Sequence, residues 1–367
     1  MNIFWFSGRS LEDLCSTTQV ALASGLVNRG HKLTFVNPDP EGSHTNRPWN
    51  HQSIPSRAPL GLQSKILGRN MKRWFTSKVV DGPSVALVDW RIANAIVPLL
   101  RKRNIPWILI DRSPPADKGL LSILQWPSWK RSWKLAMKGN SSCGCVVSEA
   151  HRNFVIHKTG ARAESIVTLP AGVDLEQFQS GDRFEKLTLV YHGRLDRHRG
   201  VMALPMLLRK SQSLGIDAEL ILVGEGDAFS SLQAIADNDA SIQVKQSLPQ
   251  KELAKLLSHC HVGLLPMPER KVWTIASPLK RSEYAASGLL IFGIDHAGHQ
   301  FTTNEEPEWM NLVSQEEFHD AGAKWLRHIL DSDFEALSRK SRFFAEQNLA
   351  WERTVEALDN AIHSLCK

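Results

Sequence analysis

Short apolar runs alternate along the chain with longer segments in which apolar residues recur at helical spacing. In the first half, five such runs predict strands: NIFWFS (2–7), HKLTFVNP (31–38), ALVDW (86–90), WILIDR (107–112) and CVVS (145–148). Helical segments lie between them, and the first covers residues 16–29 and ends at Gly30. Strands that alternate with helices indicate parallel sheets, so we predict an α/β protein.

A second series of strands and helices begins near residue 186 with LTLVYHG. The chain has 367 residues, which is enough for two α/β domains of ordinary size. We therefore predict one domain over residues 1–185 and a second over residues 186–342. Residues 38–60 are polar and rich in Pro, His and Asn, which predicts a long mobile loop in the first domain.

The segment LVYHGRLDRHRGV (189–201) predicts a strand that continues into a basic loop. Arg194 and Arg199 lie in this loop, and guanidinium groups match the oxygens of a diphosphate in bidentate geometry. Gly193 and Gly200 permit a ligand to approach the backbone closely. Taken alone, the segment is equally well interpreted as a strand followed by a solvated basic turn.

The segment SPLKRSEYAASGLLIFG (277–293) predicts a loop, a helix and an apolar strand. Ser277 is expected to cap the helix, and Pro278 is expected to be its first residue. A helix N-terminus next to a strand edge is a binding site for anions. Glu283 falls two turns into the same helix.

With ELILVGEGD (219–227) and LPAGVDLEQF (169–178), these segments resemble, in order and spacing, the C-terminal half of GT-B glycosyltransferases of the large retaining family 4. The resemblance is specific over residues 169–290 and only topological over residues 1–150. It implies a GT-B fold, in which two Rossmann-like parallel-sheet domains face each other across a cleft. It also implies that the C-terminal helices, here residues 343–367, pack back on the first domain.

The resemblance assigns roles to individual residues. An arginine and a lysine in the family grip the diphosphate of a nucleotide sugar, and Arg194 and Arg199 stand at their positions. In the family a glutamate at the position of Glu283 binds the ribose, whereas the alternative here is a surface pair with Lys280 or Arg281. The remaining positions that the resemblance places around the nucleotide are Gly193, Gly224, Val244, Lys245, Ser277, Pro278 and Leu279.

Besides Arg199 in the place of the family's lysine, Ile275 and Ala171 depart from the family pattern. The family places another glutamate eight positions before Glu283, where it touches the donor sugar, but this chain has Ile275 there. Ala171 replaces the asparagine of the family's N-G-V-D turn. Glu269 is the nearest acidic candidate for the donor sugar. The implied donor is a nucleotide diphosphate sugar, with UDP and GDP not distinguished, and neither a cofactor nor a metal is expected.

The sequence identifies fewer candidate residues on the acceptor side of the expected cleft. Gly8 lies in the loop after the first strand, and Asp111 and Arg112 follow the strand WILI. Since ligands of α/β folds bind beyond the carboxyl ends of strands, these residues are candidates to face the reacting sugar, with Arg112 also a candidate catalytic residue. The alternative is an Asp–Arg pair that supports the loop. We expect no single catalytic base, because catalysis in this family is thought to rest on charge stabilisation and positioning.

Positive charge is concentrated in the first domain. Residues 57–138 hold 16 basic and 4 acidic residues, although the whole chain carries only +6. Two basic segments, residues 61–80 and 120–138, also carry tryptophan, which is typical of helices that lie in the headgroup plane of anionic membranes. The alternative is a helix whose tryptophans pack inward. Nucleic-acid binding would fit the charge, but no such motif occurs.

The remaining features place the protein in the cytoplasm. The five cysteines, at positions 15, 143, 145, 260 and 366, form no disulfide framework, and the N-terminus has no signal-peptide pattern. We predict a retaining glycosyltransferase that uses a glycan or lipid-linked acceptor, peripheral on the inner face of the membrane. Its rivals are a catalytically degenerate GT-B protein that serves as a partner or scaffold, and a GT-B sugar-nucleotide epimerase, for which we find no acid/base array.

Overall fold

The computed structural model of the protein describes residues 1–11, 16–59, 61–115, 119–138, 142–301 and 307–366. The chain forms two compact units, one from Met1–Pro170 with Trp351–Lys367 and the other from Ala171–Ala350. The sequence interpretation changed domain at residue 185, whereas the units change at Pro170. No helix among the described residues has both the length and the apolar character that a membrane span requires.

The first unit is built on a seven-stranded parallel sheet with the order β3-β2-β1-β4-β5-β6-β7. Its strands are β1 (Asn2–Phe6), β2 (Lys32–Asn37), β3 (Asn50–Ser53), β4 (Ser84–Asp89), β5 (Trp107–Ile110), β6 (Ser142–Val146) and β7 (Ile166–Thr168). Its helices are α1 (Thr17–Asn28), α2 (Gln63–Ser77), α3 (Trp90–Lys102), α4 (Leu120–Ile123), α5 (Trp126–Ala136), α6 (Glu149–Thr159) and a last helix given below. Every residue of β4 is buried, as expected for a central strand with helices on both faces.

The second unit contains a six-stranded parallel sheet with the order β10-β9-β8-β11-β12-β13. Its strands are β8 (Leu187–His192), β9 (Ala218–Val223), β10 (Ile242–Lys245), β11 (Val262–Leu265), β12 (Leu290–Ile294) and β13 (Met310–Val313). Its helices are α7 (Ala203–Ser213), α8 (Phe229–Ala236), α9 (Gln250–His259), α10 (Lys271–Thr274), α11 (Leu279–Ala286), α12 (Phe318–Leu330) and α13 (Phe334–Asn348). The pattern of apolar runs therefore predicted the α/β class and the parallel sheets correctly.

The last helix, α14 (Trp351–Leu365), belongs to the first unit, where it packs on α1 and β7. A Cβ atom at Gly25 of α1 would lie 2.3 Å from Val355 Cγ2, so glycine lets the two helices approach closely. Asp359 of α14 accepts a hydrogen bond from Arg29 and lies 2.8 Å from His31 Nε2. Residues 343–350, which the sequence interpretation grouped with these C-terminal helices, instead lie in the second unit.

Residues 38–59, the described part of the predicted mobile loop, contain more regular structure than their composition predicts. The segment contains β3, which pairs with β2 at the edge of the sheet. Asp39 is buried and accepts hydrogen bonds from Leu11 N, Asn37 Nδ2 and the His44 side chain. Apolar alternation fails to mark β3 because its side chains pair with polar neighbours, as His51 does with Asn37.

Candidate functional site

Three strand ends of the second unit are joined at one edge of its sheet. Gly193, after β8, donates its N–H to Val223 O at 2.9 Å, and Gly224, after β9, donates to Lys245 O at 2.9 Å. Gly224 has a φ of +148°, and a Cβ atom there would lie only 1.7 Å from Gly193 O. The two loops therefore touch through bare backbone. Parallel sheets bind ligands beyond this carboxyl edge, so we take it as the candidate site.

The loop of residues 193–200 carries two predicted arginines around an acidic residue that the sequence reasoning missed. Arg194 donates to both oxygens of Asp196, at 3.0 Å and 3.2 Å, and its side chain is 42% exposed. Arg199 Nε lies 3.6 Å from Asp196 Oδ2, and this side chain is 23% exposed. Burial raises the pKa of Asp196, but the two arginines and the Asp227 N–H outweigh burial and hold that pKa below its usual range. Asp196 thus orients both cations and neutralises part of their charge.

Arg199 is also held from its other side. Its guanidinium carbon lies 4.5 Å from the centre of the Trp273 ring, within cation–π range. The neighbouring His198 stacks on the same indole, with an angle of 17° between the two rings. Trp273 belongs to α10, so this short helix fixes the direction of the loop. The distance in sequence between Trp273 and the loop of residues 193–200 does not predict this contact.

The helix α11 begins one residue later than its sequence predicts. Pro278 stands at the cap position and Leu279 is the first helical residue. Ser277 does not cap the helix; its hydroxyl accepts a hydrogen bond from Ala171 N at 2.9 Å and so ties down the 171–174 turn. Because no side chain caps α11, its first N–H groups remain available for an anion at this end.

Glu283 is buried on α11, and its partner is neither of the basic neighbours considered from the sequence. Its Oε2 atom lies 3.2 Å from Nε2 of His192, the last residue of β8. Arg281 is used differently, since its guanidinium donates to the backbone oxygens of Gly298 and Gln300. Neither Glu283 Oε2 nor His192 Nε2 has a hydrogen-bond partner with good geometry among the described residues. The carboxylate therefore retains the capacity to accept a hydrogen bond from a ligand hydroxyl.

Lys280 precedes Glu283 by one turn and is also buried. Its Nζ atom lies 3.3 Å from the hydroxyl oxygen of Tyr191 and 4.4 Å from the centre of that ring. Burial, and to a smaller extent Arg199, lower the pKa of Lys280 to about 7, while Glu283 acts in the opposite direction. The site thus contains a buried amine that changes charge near neutral pH.

The departures from the family pattern lie close to this centre. Ile275, at the position of the family's first glutamate, is buried, whereas Glu269 is exposed. Ala171 needs no side-chain amide to fix its turn, because Ser277 accepts from its N–H and Ser282 donates to its carbonyl oxygen at 3.1 Å. The hydroxyl groups of Ser277 and Ser282 thus hold the turn that an asparagine marks in the family.

In the first unit, Gly8, Asp111 and Arg112 follow the carboxyl ends of β1 and β5 at one edge of the sheet. Gly8 has no positive φ, and a Cβ atom there would meet nothing closer than 3.7 Å, so its loop does not require glycine. Arg112 is partly exposed beside a small cavity that Asp111 also lines. Nothing in the geometry singles out Arg112 for a catalytic role.

Asp111 does not face a substrate, which corrects the sequence interpretation. Its side chain is fully buried, and Oδ2 accepts hydrogen bonds from the indole N–H groups of Trp129 at 2.6 Å and Trp133 at 2.8 Å. Burial raises the pKa of Asp111, but His151, at 3.6 Å, and the two indoles outweigh burial and hold the pKa below its usual range. We call Asp111, Trp129, Trp133 and His151 the Asp111 cluster.

Two of the three tryptophans of residues 120–138, Trp129 and Trp133, are therefore core residues, and the membrane interpretation of these two is wrong. Trp129 and Trp133 are 0% exposed, because their indole N–H groups need the buried carboxylate and their rings fill the space beside β6. A Cβ atom at Gly144 of β6 would lie 2.2 Å from the Trp133 ring. The basic residues of the same helix, Lys130, Arg131 and Lys134, remain exposed.

A basic groove lies between α2, α3 and α5 and encloses about 660 Å³. Its cationic lining residues are Lys65, Arg69, Lys72, Arg91 and Arg131, and none of the described residues that line it is acidic. The first three recur every three or four residues, so they share one face of α2. Leu124 also lines the groove and is 67% exposed, and Leu62 and Ile123 are exposed next to lining residues.

Comparison with known proteins agrees with this architecture. The model of Glycosyltransferase Family 4 matches residues 16–177. Sucrose-phosphate synthase from Thermosynechococcus elongatus has a TM-score of 0.77 and 16% identity, covering 99% of this chain and 98% of that one. HepE from Anabaena, in complex with UDP, has a TM-score of 0.75 and 13% identity, covering 99% and 100%. WaaG, a glycosyltransferase involved in lipopolysaccharide biosynthesis, has a TM-score of 0.70 and 14% identity, covering 99% of each chain.

A search of curated proteins by sequence found no match. The structural likenesses establish the fold, and the family match covers most of the first unit. The chain therefore has the GT-B fold of these structures, and its residues 16–177 match the Glycosyltransferase Family 4 model.

Proposed function

We propose that the protein transfers a sugar, with retention of configuration, from a nucleotide diphosphate sugar to a glycan or lipid-linked acceptor at the cytoplasmic face of a membrane. The observation that carries the donor part is the convergence of three features at one sheet edge. These are the two arginines of the 193–200 loop, the uncapped N-terminus of α11 and the buried carboxylate of Glu283. HepE, which has the same fold, was solved with UDP and with UDP-glucose.

Each feature suits a different part of a nucleoside diphosphate. The cationic loop and the first N–H groups of α11 would bind phosphate oxygens, because both concentrate donors and positive charge. The carboxylate of Glu283 would accept hydrogen bonds from the ribose hydroxyls. The backbone of Val244 and Lys245, at the end of β10, would lie near the base.

The proposed chemistry needs no titrating base. The bond between the sugar carbon and the diphosphate oxygen breaks, and a bond from that carbon to the acceptor oxygen forms on the same face of the sugar. The acceptor proton passes to the leaving phosphate oxygen. Arg194, Arg199 and the α11 N-terminus would stabilise the negative charge that develops on that phosphate, and such electrostatic stabilisation is commonly the largest contribution to catalysis.

The basic groove supports an acceptor that carries negative charge or lies at an anionic membrane. Its described lining residues include five cations and no carboxylate, and exposed leucine and isoleucine side chains lie beside it. Cationic and apolar groups together suit a phospholipid surface, where each basic residue contributes roughly 1 kcal/mol. With Trp129 and Trp133 buried, the attraction would rest mainly on these cations and on the aliphatic side chains.

One screen tests the donor assignment. Thermal shift and calorimetry with UDP, GDP and ADP, followed by hydrolysis of the corresponding sugar nucleotides, should identify one nucleoside diphosphate that binds and one donor that is turned over. Arg199→Ala should weaken the diphosphate by about 1.5–3 kcal/mol. Arg194→Ala should have a smaller effect on affinity, because the guanidinium of Arg194 already donates two hydrogen bonds to Asp196. An unchanged affinity for the diphosphate in both variants would contradict the assignment of these arginines to the donor site.

A catalytically degenerate binding protein is the second candidate, favoured by Ile275 in the place of a carboxylate that touches the donor sugar in the family. It predicts tight binding of the nucleoside diphosphate with no hydrolysis of any sugar nucleotide. Measured turnover of one donor would exclude it.

A further inference from the structure

Lys280 presents a cation that the fold of the second unit does not explain. The residue is only 8% exposed, and its ammonium touches a neutral phenol, the Tyr191 hydroxyl, at 3.3 Å. It forms no ion pair with any carboxylate among the described residues. Burying an ammonium without a partner of opposite charge is costly, so a methionine or leucine at this position would stabilise the isolated unit better. A buried charge kept at such a cost indicates a ligand of opposite charge.

The surroundings of Lys280 are themselves mostly cationic or neutral. Arg199 faces it from the 193–200 loop, Tyr191 from β8 and His299 from the segment after β12, with Glu283 on its own helix. Burial, nearby His296 and the cations of α11 keep the pKa of His299 well below its ordinary value, so this imidazole is neutral. Among the described residues, only Glu283 counters the charge of Lys280, and that carboxylate lies against His192.

The amine also lies where the candidate diphosphate would sit. A Cβ atom built on Gly193 would come within 3.4 Å of Lys280 Nζ, so the amine lies directly against the first residue of the arginine loop. Lys280 is the second residue of α11, whose first N–H groups have no side-chain cap. An anion held by that helix end and by Arg199 would therefore be within reach of the ammonium.

We propose that Lys280 is a binding residue for the donor diphosphate, its ammonium pairing with a phosphate oxygen at the N-terminus of α11. This role rests on the proposed function, because it requires that the site take a nucleoside diphosphate. It also explains how the site keeps two available cations although Asp196 holds Arg194 through both carboxylate oxygens. Lys280 and Arg199 together balance the two phosphates.

A consequence is that diphosphate binding takes up a proton. The free amine is half-protonated at about pH 7, and a phosphate beside it favours the charged form. Below pH 7 the amine is already charged, so binding requires no proton. Above pH 7 each unit of pH lowers the charged fraction of the free protein about tenfold, so the affinity falls while proton uptake approaches about one.

Calorimetry tests this with UDP or GDP, whichever the parent protein binds, at pH 6.5 and pH 8.5 in two buffers of different ionisation enthalpy. The variant Lys280→Met should bind the diphosphate at least roughly tenfold more weakly at pH 6.5, take up no proton at pH 8.5, and bind the free nucleoside like the parent. Lys280→Gln serves as a second neutral variant of similar length. Lys251→Met, at an exposed site on α9, is the matched control and should behave as the parent.

The outcomes separate this inference from the proposed function. If the parent binds a diphosphate and Lys280→Met binds it as tightly, with the same proton uptake, the role of Lys280 is overturned and the donor site stands. If the variants lose affinity for the nucleoside as much as for the diphosphate, Lys280 acts on the fold of the site, and the role is again overturned. If the folded parent binds no nucleoside diphosphate, both proposals fail.

Discussion

At the scale of single residues, the candidate site depends on how closely two loops meet. Gly224 brings its backbone against the carbonyl group of Gly193, and no side chain fits between them. This contact sets the direction in which the chain leaves β8, and with it the starting point of the arginine loop. The glycine is therefore required by the packing of the backbone and would be required with or without a ligand.

Gly224→Ala should lower the free energy of unfolding of the second unit by about 3 kcal/mol or more, because the methyl group overlaps a backbone oxygen and the positive φ disfavours alanine. Urea denaturation measures the change. Gly8→Ala is the control and should change stability by no more than about 0.5 kcal/mol, since its site has room for a Cβ atom. A Gly224→Ala protein as stable as the parent would contradict the close contact.

Glu283→Gln should weaken donor binding by roughly tenfold with little change in Tm, because the amide keeps the shape of the side chain but accepts hydrogen bonds less strongly. If the carboxylate binds the ribose, the parent should prefer UDP or GDP over the 2′-deoxy form, and the variant should lose much of that preference. Glu252→Gln, at an exposed position of α9, is the control. A large loss of stability with normal donor affinity would assign Glu283 a structural role.

The sequence revealed the positions of the motif residues but few of their partners. Gly193, Arg194 and Arg199 are adjacent in one loop, so their order alone places them together. Asp196 lies in the same loop, yet nothing in its spacing shows that it occupies Arg194. His192 and Trp273 come from other elements, and which side chain they meet depends on the tertiary packing of β8 and α10.

At the scale of elements, α5 shows how one sequence pattern supports two structures. The helix has tryptophans on one face and cations on the other, which fits both a membrane-surface helix and a helix docked on a sheet. The carboxylate of Asp111, distant in sequence, decides the case, because two indole N–H groups find their acceptor there. The spacing of apolar residues within α5 does not show that a buried carboxylate will accept from its indole N–H groups.

Asp111→Asn should lower the free energy of unfolding by about 2–3 kcal/mol at neutral pH, because the Asp111 cluster loses the charged acceptor of two buried hydrogen bonds. The pKa of Asp111 is lower in the folded protein than its usual value, so its contribution is complete above about pH 4 and disappears as the pH falls through the folded pKa. The difference between parent and variant should therefore shrink in acid. Chemical denaturation at pH 7 and pH 3.5 measures it, with exposed Asp81→Asn as the control.

At the scale of the whole molecule, the charge is unevenly distributed along the chain. Residues 57–138 carry a large basic excess, although the chain as a whole carries only +6. The structure gathers part of this excess into the basic groove, whereas other cations of α2 and α5 point elsewhere. This division allows an experiment that separates a specific docking surface from general attraction to anions.

Two triple variants make this comparison on the same two helices. Lys65→Gln/Arg69→Gln/Arg131→Gln removes three groove cations, and Arg73→Gln/Lys130→Gln/Lys134→Gln removes three exposed cations outside the groove. The groove variant should bind phosphatidylglycerol vesicles at least roughly tenfold more weakly than the control variant, and both should keep their nucleotide affinity. Phosphatidylcholine vesicles should bind neither protein, and high salt should weaken all vesicle binding. Equal losses would indicate unspecific attraction.

The first unit is discontinuous in sequence, and this has a consequence for how the protein is made. Residues 171–350 leave the ribosome before α14 does. The surface of α1 and β7 that α14 covers in the folded protein therefore stays exposed to water until the whole second unit has been synthesised. A chain that is interrupted after Ala350 would retain an intact second unit and an incomplete first one. Quality control in the cell could therefore recognise an unfinished molecule by a single uncovered face.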